Sequence, residues 1–390
     1  MNLREVAQSL RIDPSTLENG QVVDTSVAVP DVETFRKLFG GTLSDEQRAA
    51  FSAAAPDLEE HPQMKALTHH VFGSGDLDDD ARAYARQVLP ANVRVMLGDT
   101  VTINSDIVQG PSGQPYAIVT DNLVFDGGSL TMQATALTIN AGTVTVKSGS
   151  PTNPYHIGIM GVAGTQPAQA AAGSPYANAA QAGSNSSAPT PGICTGASDG
   201  GTGTAGSKGN VGNPGNTGNT GLASYPAAIT VTSFDPASAS ALVVQTQSGA
   251  GGAGGQGGNG GQGQTGGQGG NGCDSGCEGT DGGNGGAAGQ GGDGGPGGNG
   301  ANGVNGYPSS ISFPNASKQM LQTVSVSAPP GAAGPGGSGG PAGYPGGGGS
   351  GGKHKSDGQS GGGASGGTTG ANGTAGTIQG APGQISFTWT

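Results

Sequence analysis

Between Gly249 and Gly272 a non-glycine residue falls at every third position: Ala250, Ala253, Gln256, Asn259, Gln262, Thr265, Gln268 and Asn271, with Gln264 alone breaking the rule. A period of three is that of a polyproline-II-type helix, which has three residues per turn and no internal hydrogen bonds. Two bare glycine rows let other backbones approach closely, while the third row stays outward. A flexible linker has no use for such a row. Ordering glycine costs about 1–2 kcal/mol per residue, so hydrogen bonds between arms and anchored ends have to offset that cost.

The phase of the glycines changes at Cys273 and Cys277: Gly276, Gly279, Gly282, Gly285 and Gly291 to Gly306 share a register one residue away from that of Gly272. A phase break in mid-run is where two such helices would turn back on each other, at Cys273-Asp274-Ser275-Gly276-Cys277. Two further runs fit the same plan. One goes out from Gly158, turns near Ser184–Gly200 around Cys194, and returns through Gly203 to Gly221. The other runs from Gly331 to Gly352, turns at Lys353-His354-Lys355-Ser356-Asp357, and returns to Gly383. An arm of two dozen residues would span about 75 Å. Collagen fits less well, because these frames are short, shifted and poor in proline.

Elsewhere the pattern differs. Before residue 100 the chain is charged and carries helix signals: Asp31 ahead of Phe35, Leu38 and Phe39; Ser44 and Gln47 as a capping box; Asp78 to Asp80 before an alanine-rich run closed by Pro90. From Asn122 four seven-residue units follow, in which Leu123, Leu130, Leu137 and Val144 share one position and Phe125, Met132, Ile139 and Val146 another. Fixed spacing of short half-buried strands predicts a stacked β-solenoid, with antiparallel hairpins as the alternative. Ile229 and Val231 match Ile311 and Phe313, and Leu242 and Val244 match Val324 and Val326, at one common offset. Ile385, Phe387 and Trp389 read as one more strand.

The expected fold class is therefore a small α-helical N-terminal domain (1–99), a β-solenoid stem (100–156), and a glycine-rich region (157–390) with interleaved strands at 225–248, 307–330 and 384–390. Three glycine hairpins would form a six-arm bundle. The helical domain is expected to dock on another protein or assembly.

Several function classes are disfavoured. The net charge is −12, with 14 basic residues in 390, against the basic stripe that nucleic acid requires. No apolar run is long enough for a membrane-spanning helix. The N-terminus lacks the apolar region of a Sec signal, so an extracellular or virion-surface protein would leave by lysis, by a dedicated system, or on a particle. His69-His70 has no nearby nucleophile, Asp78–Asp80 lacks EF-hand spacing, and Cys273 with Cys277 lacks a second ligand pair for zinc. No metal, no cofactor and no enzymatic activity are expected. Three cysteines allow one intrachain disulfide, either Cys273–Cys277 or one of these with Cys194.

The glycine runs resemble the polyglycine-II bundles of snow-flea antifreeze protein and the glycine-rich tip adhesins of T-even-type phage long tail fibres. The likeness covers about residues 157–390 and rests on composition and period. It implies a polyglycine-II bundle and a non-enzymatic extracellular or surface structural protein that projects a rigid element for adhesion or receptor binding. The candidate binding residues are those at the hairpin tips: Lys353, His354, Lys355, Asp274 and Ser275. The partners would be a cell-surface receptor or like subunits. Alternatives are a subunit of a filament or matrix assembling through Ile385, Phe387 and Trp389, and an ice-binding protein.

Overall fold

The structure is a computed structural model that describes residues 3–17, 20–56, 62–111, 114–150 and 152–390. The first part is mostly helical with one strand: α1 (Leu3–Ser9), β1 (Val23–Val29), α2 (Val32–Gly40), α3 (Asp45–Ala54), α4 (Pro62–Phe72) and α5 (Asp79–Val88). The helices begin where side chains satisfy the free N–H groups of the first turn. Asp31 accepts from Thr34 N and Asp78 from Ala81 N, and Ser44 and Gln47 form a reciprocal capping box.

Strands follow: β2 (Ala91–Ile103), β3 (Ile107–Gln109), β4 (Tyr116–Asp126), β5 (Leu130–Gln133), β6 (Leu137–Ser148) and β7 (Ile157–Met160). Then come β8 (Ala227–Phe234), β9 (Leu242–Gln247), β10 (Ser309–Phe313), β11 (Leu321–Val326) and β12 (Ile385–Trp389). They form two sheets, a seven-stranded one in the order β1-β2-β4-β6-β8-β10-β12 and a five-stranded one in the order β11-β9-β7-β5-β3. All pairs are parallel except β1 with β2, so the larger sheet is mixed and the smaller is parallel.

This corrects the expected architecture. The chain is an α/β fold of two sheets with a few helices, not a small helical domain followed by a β-solenoid, and it shows no fibre. The seven-residue units are not four separate strands. The third and fourth lie on one twelve-residue strand, β6, which pairs with β4 so that Leu123 faces Val144 and Phe125 faces Val146. Gly142, which reads as a corner, lies inside that strand; a Cβ there would come within 2.7 Å of Asp121 O. The common offset holds in one sheet only. Ile229 pairs with Ile311, but Leu242 pairs with Leu321 rather than Val324, because a 3₁₀ turn at Asn315–Met320 shortens the path.

Alternation along the strands builds two cores. Ile118, Phe125, Met132, Ile139, Ile229 and Phe313 are buried between the sheets. On the other face of the larger sheet, Ala117 and Ala228 pack with Phe39, Phe51, Phe72 and Tyr307 beneath the helices. Each fully buried large side chain contributes about 1.5–3 kcal/mol.

The glycine segments contain no helix or strand, yet they are hydrogen bonded along their length. Six arms, at 162–186, 200–222, 249–272, 280–304, 328–352 and 356–380, lie in two layers, with arms 1, 3 and 5 in one and arms 2, 4 and 6 in the other. Within a layer donation runs one way: Gly173 N to Asn259 O, then Gly260 N to Ser338 O. Between layers Gly258 N donates to Asn213 O and Gly295 N to Gly258 O, each at 2.8 Å. A Cβ on Gly258 would lie 2.0 Å from Ala171 O. Glycine is therefore required by the spacing of the arms.

Candidate hairpin-tip site

Arm 1 leaves the end of β7 and arm 2 returns to the start of β8; the other two hairpins likewise join β9 to β10 and β11 to β12. The turns therefore gather at the end of the bundle remote from the sheets, about 75 Å away. The first turn bends at Gly192 and Gly196, which have φ of +79° and +85°. The second is closed by an antiparallel bridge between Asp274 and Gly279, with Ser275 Oγ donating to Glu278 O. The third places His354 at φ +60°, a conformation few non-glycine residues adopt, and Lys355 N donates to Gly352 O.

The three turns are joined in a row. Cys194 and Cys273 form a disulfide with Cα atoms 5.9 Å apart, and Thr195 Oγ1 donates to Glu278 Oε2 at 2.9 Å. Of the alternatives the sequence leaves open, the bond between hairpins is the one formed, and Cys277 is a free, exposed thiol. Lys353 ties the second turn to the third: its N–H donates to Asp274 Oδ1 at 2.9 Å and its Nζ to Gly276 O at 2.7 Å. Asp274, Ser275, Gly276, Gly351, Gly352 and Lys353 line a shallow depression. His354 and Lys355 are exposed, and their side chains bond to none of the described residues. Three of the five tip candidates thus sit around one contact, with His354 and Lys355 following it in the chain, and Lys353 and Asp274 hold the shape rather than standing free.

The assembly candidates lie elsewhere. Ile385, Phe387 and Trp389 occupy β12 at the edge of the larger sheet, with Phe387 stacked on Trp389 at 5.5 Å and Lys318 Nζ 4.6 Å from the Trp389 ring centroid.

Other groups offer less chemistry. Among the described residues no cluster of three metal-ligating side chains occurs, and no helix is long and apolar enough to cross a membrane. His70 lies between Glu33 and the carbonyl of Gly75. Burial, and then the charge of Lys65, push His69 below the usual histidine range. An apolar cavity of about 390 Å³ beneath the helices is lined by Phe35, Leu67, Val71, Leu89, Ala136 and Tyr225. Sequence reasoning missed this cavity, and its signal was the strand pairing that brings Ala136 under α4, which no local pattern displays. Among its hydroxyl groups, those of Thr68 and Thr135 already donate to Met64 O and to Gly110 O.

Comparison with known proteins adds no assignment: no family model, no curated protein and no solved structure matches the chain.

Proposed function

We propose that this chain is a non-enzymatic extracellular or surface structural protein that presents its hairpin tips for adhesion or receptor binding. The observation that carries the reading is the row of three turns, cross-linked by Cys194–Cys273 and by Lys353 on Asp274, at the far end of a hydrogen-bonded block. Loops on a rigid scaffold lose little entropy on binding, which is why recognition concentrates there. A disulfide persists in an oxidising compartment, in keeping with a place outside the cytoplasm. The likeness to glycine-bundle adhesins belongs to the same proposal, as does docking of the N-terminal helices on a larger assembly.

Lys355 and His354 give the tip exposed basic groups on a chain of net charge −12, so the partner we expect is anionic. Replacing His354 and Lys355 with serine leaves the contacts of Lys353 intact. Labelled protein should then lose its retention on whole cells, measured by flow cytometry, while keeping its circular dichroism spectrum. Wild-type retention should also weaken with added salt, since exposed charges are screened beyond about 8–10 Å. Unchanged retention by the double variant would remove these residues from the reading.

A further inference from the structure

The two ends of the larger sheet are finished differently. At one end β1 pairs antiparallel with β2, and Arg94 on β2 is bonded to Asp24 on β1 at 2.6 Å. At the other end β12 is the last strand. Gln384 O accepts from Ser309 N, Thr390 N donates to Phe313 O of β10, and Thr390 O accepts from Asn315 N just beyond that strand. Period-two alternation then turns the N–H and C=O of Ile385, Phe387 and Trp389 away from β10, toward the open edge. The side chains of Ile385 and Trp389 pack against the end of the inter-sheet core, while Phe387 is 39% exposed. Neither β12 nor the neighbouring edge strand β11 carries a charged residue or a proline, the usual means of blunting an edge.

We infer that this edge is a self-association site, where β12 of a second copy pairs antiparallel about a two-fold axis at Phe387. Phe387 would face the second copy's Phe387, and Ile385 its Trp389, each pair exchanging both hydrogen bonds. A strand of five residues with its outward groups on positions 385, 387 and 389 is self-complementary in this sense alone. The inference does not depend on the adhesive reading.

The charge distribution selects a second copy in this orientation. A chain of net charge −12 meets its own copy most easily where the edge strands carry no acidic residue and the charge packed on the edge is a cation, Lys318 over Trp389. A head-to-tail copy would instead set its β1 against β12, and β1 carries Asp24, bonded to Arg94. Pairing β12 with β12 about a two-fold axis uses both open edges at once, so the contact closes as a dimer.

The test uses charge at the two-fold axis. Wild type should sediment as a dimer that dissociates on dilution. Phe387→Lys and Phe387→Glu each place like charges directly opposite and should each sediment as a monomer. Mixed in equal amounts, the two variants should recover the dimer, because lysine then faces glutamate. Amide exchange at Ile385, Phe387 and Trp389 in wild type should slow as concentration rises, a readout that needs no variant. Wild-type protein that stays monomeric, a variant that dimerises alone, or a mixture that stays monomeric would overturn the inference, as would exchange independent of concentration.

Discussion

Gly258 lies in arm 3, where three neighbours converge, and its replacement by alanine isolates what the arm spacing requires. Its N–H donates to Asn213 O and its carbonyl accepts from Gly295 N, both at 2.8 Å. The new Cβ would lie 2.0 Å from Ala171 O, where ordinary contact begins at 3.4 Å. Arms 1 and 3 must part by more than an ångström, which takes a hydrogen bond of normal length past its useful range. Overpacking costs about 1–3 kcal/mol and a lost bond about 1 kcal/mol. Lower entropy of the unfolded chain returns about 0.4–1 kcal/mol. The net local loss is about 2 kcal/mol, which is roughly 25-fold in an opening equilibrium. Hydrogen–deuterium exchange at Ala170 and Gly173, whose amides donate from arm 1 to Gln256 O and Asn259 O of arm 3, should accelerate by that factor. Gly363→Ala on arm 6 is the matched control, because a Cβ there meets nothing within 4 Å. It should leave exchange unchanged or slow it. Equal effects from the two substitutions would refute the argument that steric spacing, rather than glycine content, fixes the inner rows.

Two further outcomes follow from single contacts. His156 is buried and pushed below the usual histidine range by burial, and its Nδ1 accepts from Val243 N at 3.0 Å. A folded-state pKa below the unfolded one means that the unfolded chain binds the proton first. Stability should be complete above about pH 6.5 and decline as pH falls below it. Urea denaturation between pH 7.5 and 5 (about a unit either side of that value) should show a smaller decline in His156→Asn, with His69 contributing what remains; an identical decline would dismiss His156 as its source. Cys194→Ser opens a loop with a sequence separation of 79, for which chain entropy alone allows about 4 kcal/mol. The arms already close most of that loop, so exchange should quicken at the first and second turns while the global unfolding midpoint falls far less than the full figure implies. A loss near 4 kcal/mol would show that the arms hold the tips together only weakly.

The helix starts were legible because each depends on a side chain within three residues: Asp31, Ser44 and Asp78 cap the helices that their sequence neighbours predict. Strand partners depend on distant residues and were less so. Gly142 satisfies a close approach to Asp121, a chain neighbour in space only, so a straight strand looked like two strands and a corner. β1 and β2 were overlooked because their paired residues, Val27 with Val93 and Val29 with Ala91, lie on either side of a helical stretch. The tips were legible as positions but not as contacts. Lys353 looked like an exposed cation, and only the pairing of arms reveals that its backbone and ammonium are both occupied.

The outward row of each arm has its own logic, which composition does not display. An arm packed through two rows leaves the N–H groups of the third unpaired, and backbone donors seldom stay so when half covered. On arm 4 the outward residues are often Asn or Asp, and their side-chain oxygens accept those donors from arm 6: Asn284 from Gln359 N, Asp293 from Thr368 N, Asn299 from Thr374 N, all at 2.8–2.9 Å. Asn259 and Asn271 on arm 3 do the same for Ser338 and Ser350 on arm 5. Where no such side chain reaches, Pro329, Pro335 and Pro341 on arm 5 carry no N–H to satisfy. Asp293 also bonds Lys208 on arm 2, which holds its carboxyl well below the usual carboxylate range and ties three arms together. The polar third row is therefore a set of lateral caps placed by register. A shift of one residue would misplace them all, which is why the glycine phase is kept so strictly between one turn and the next.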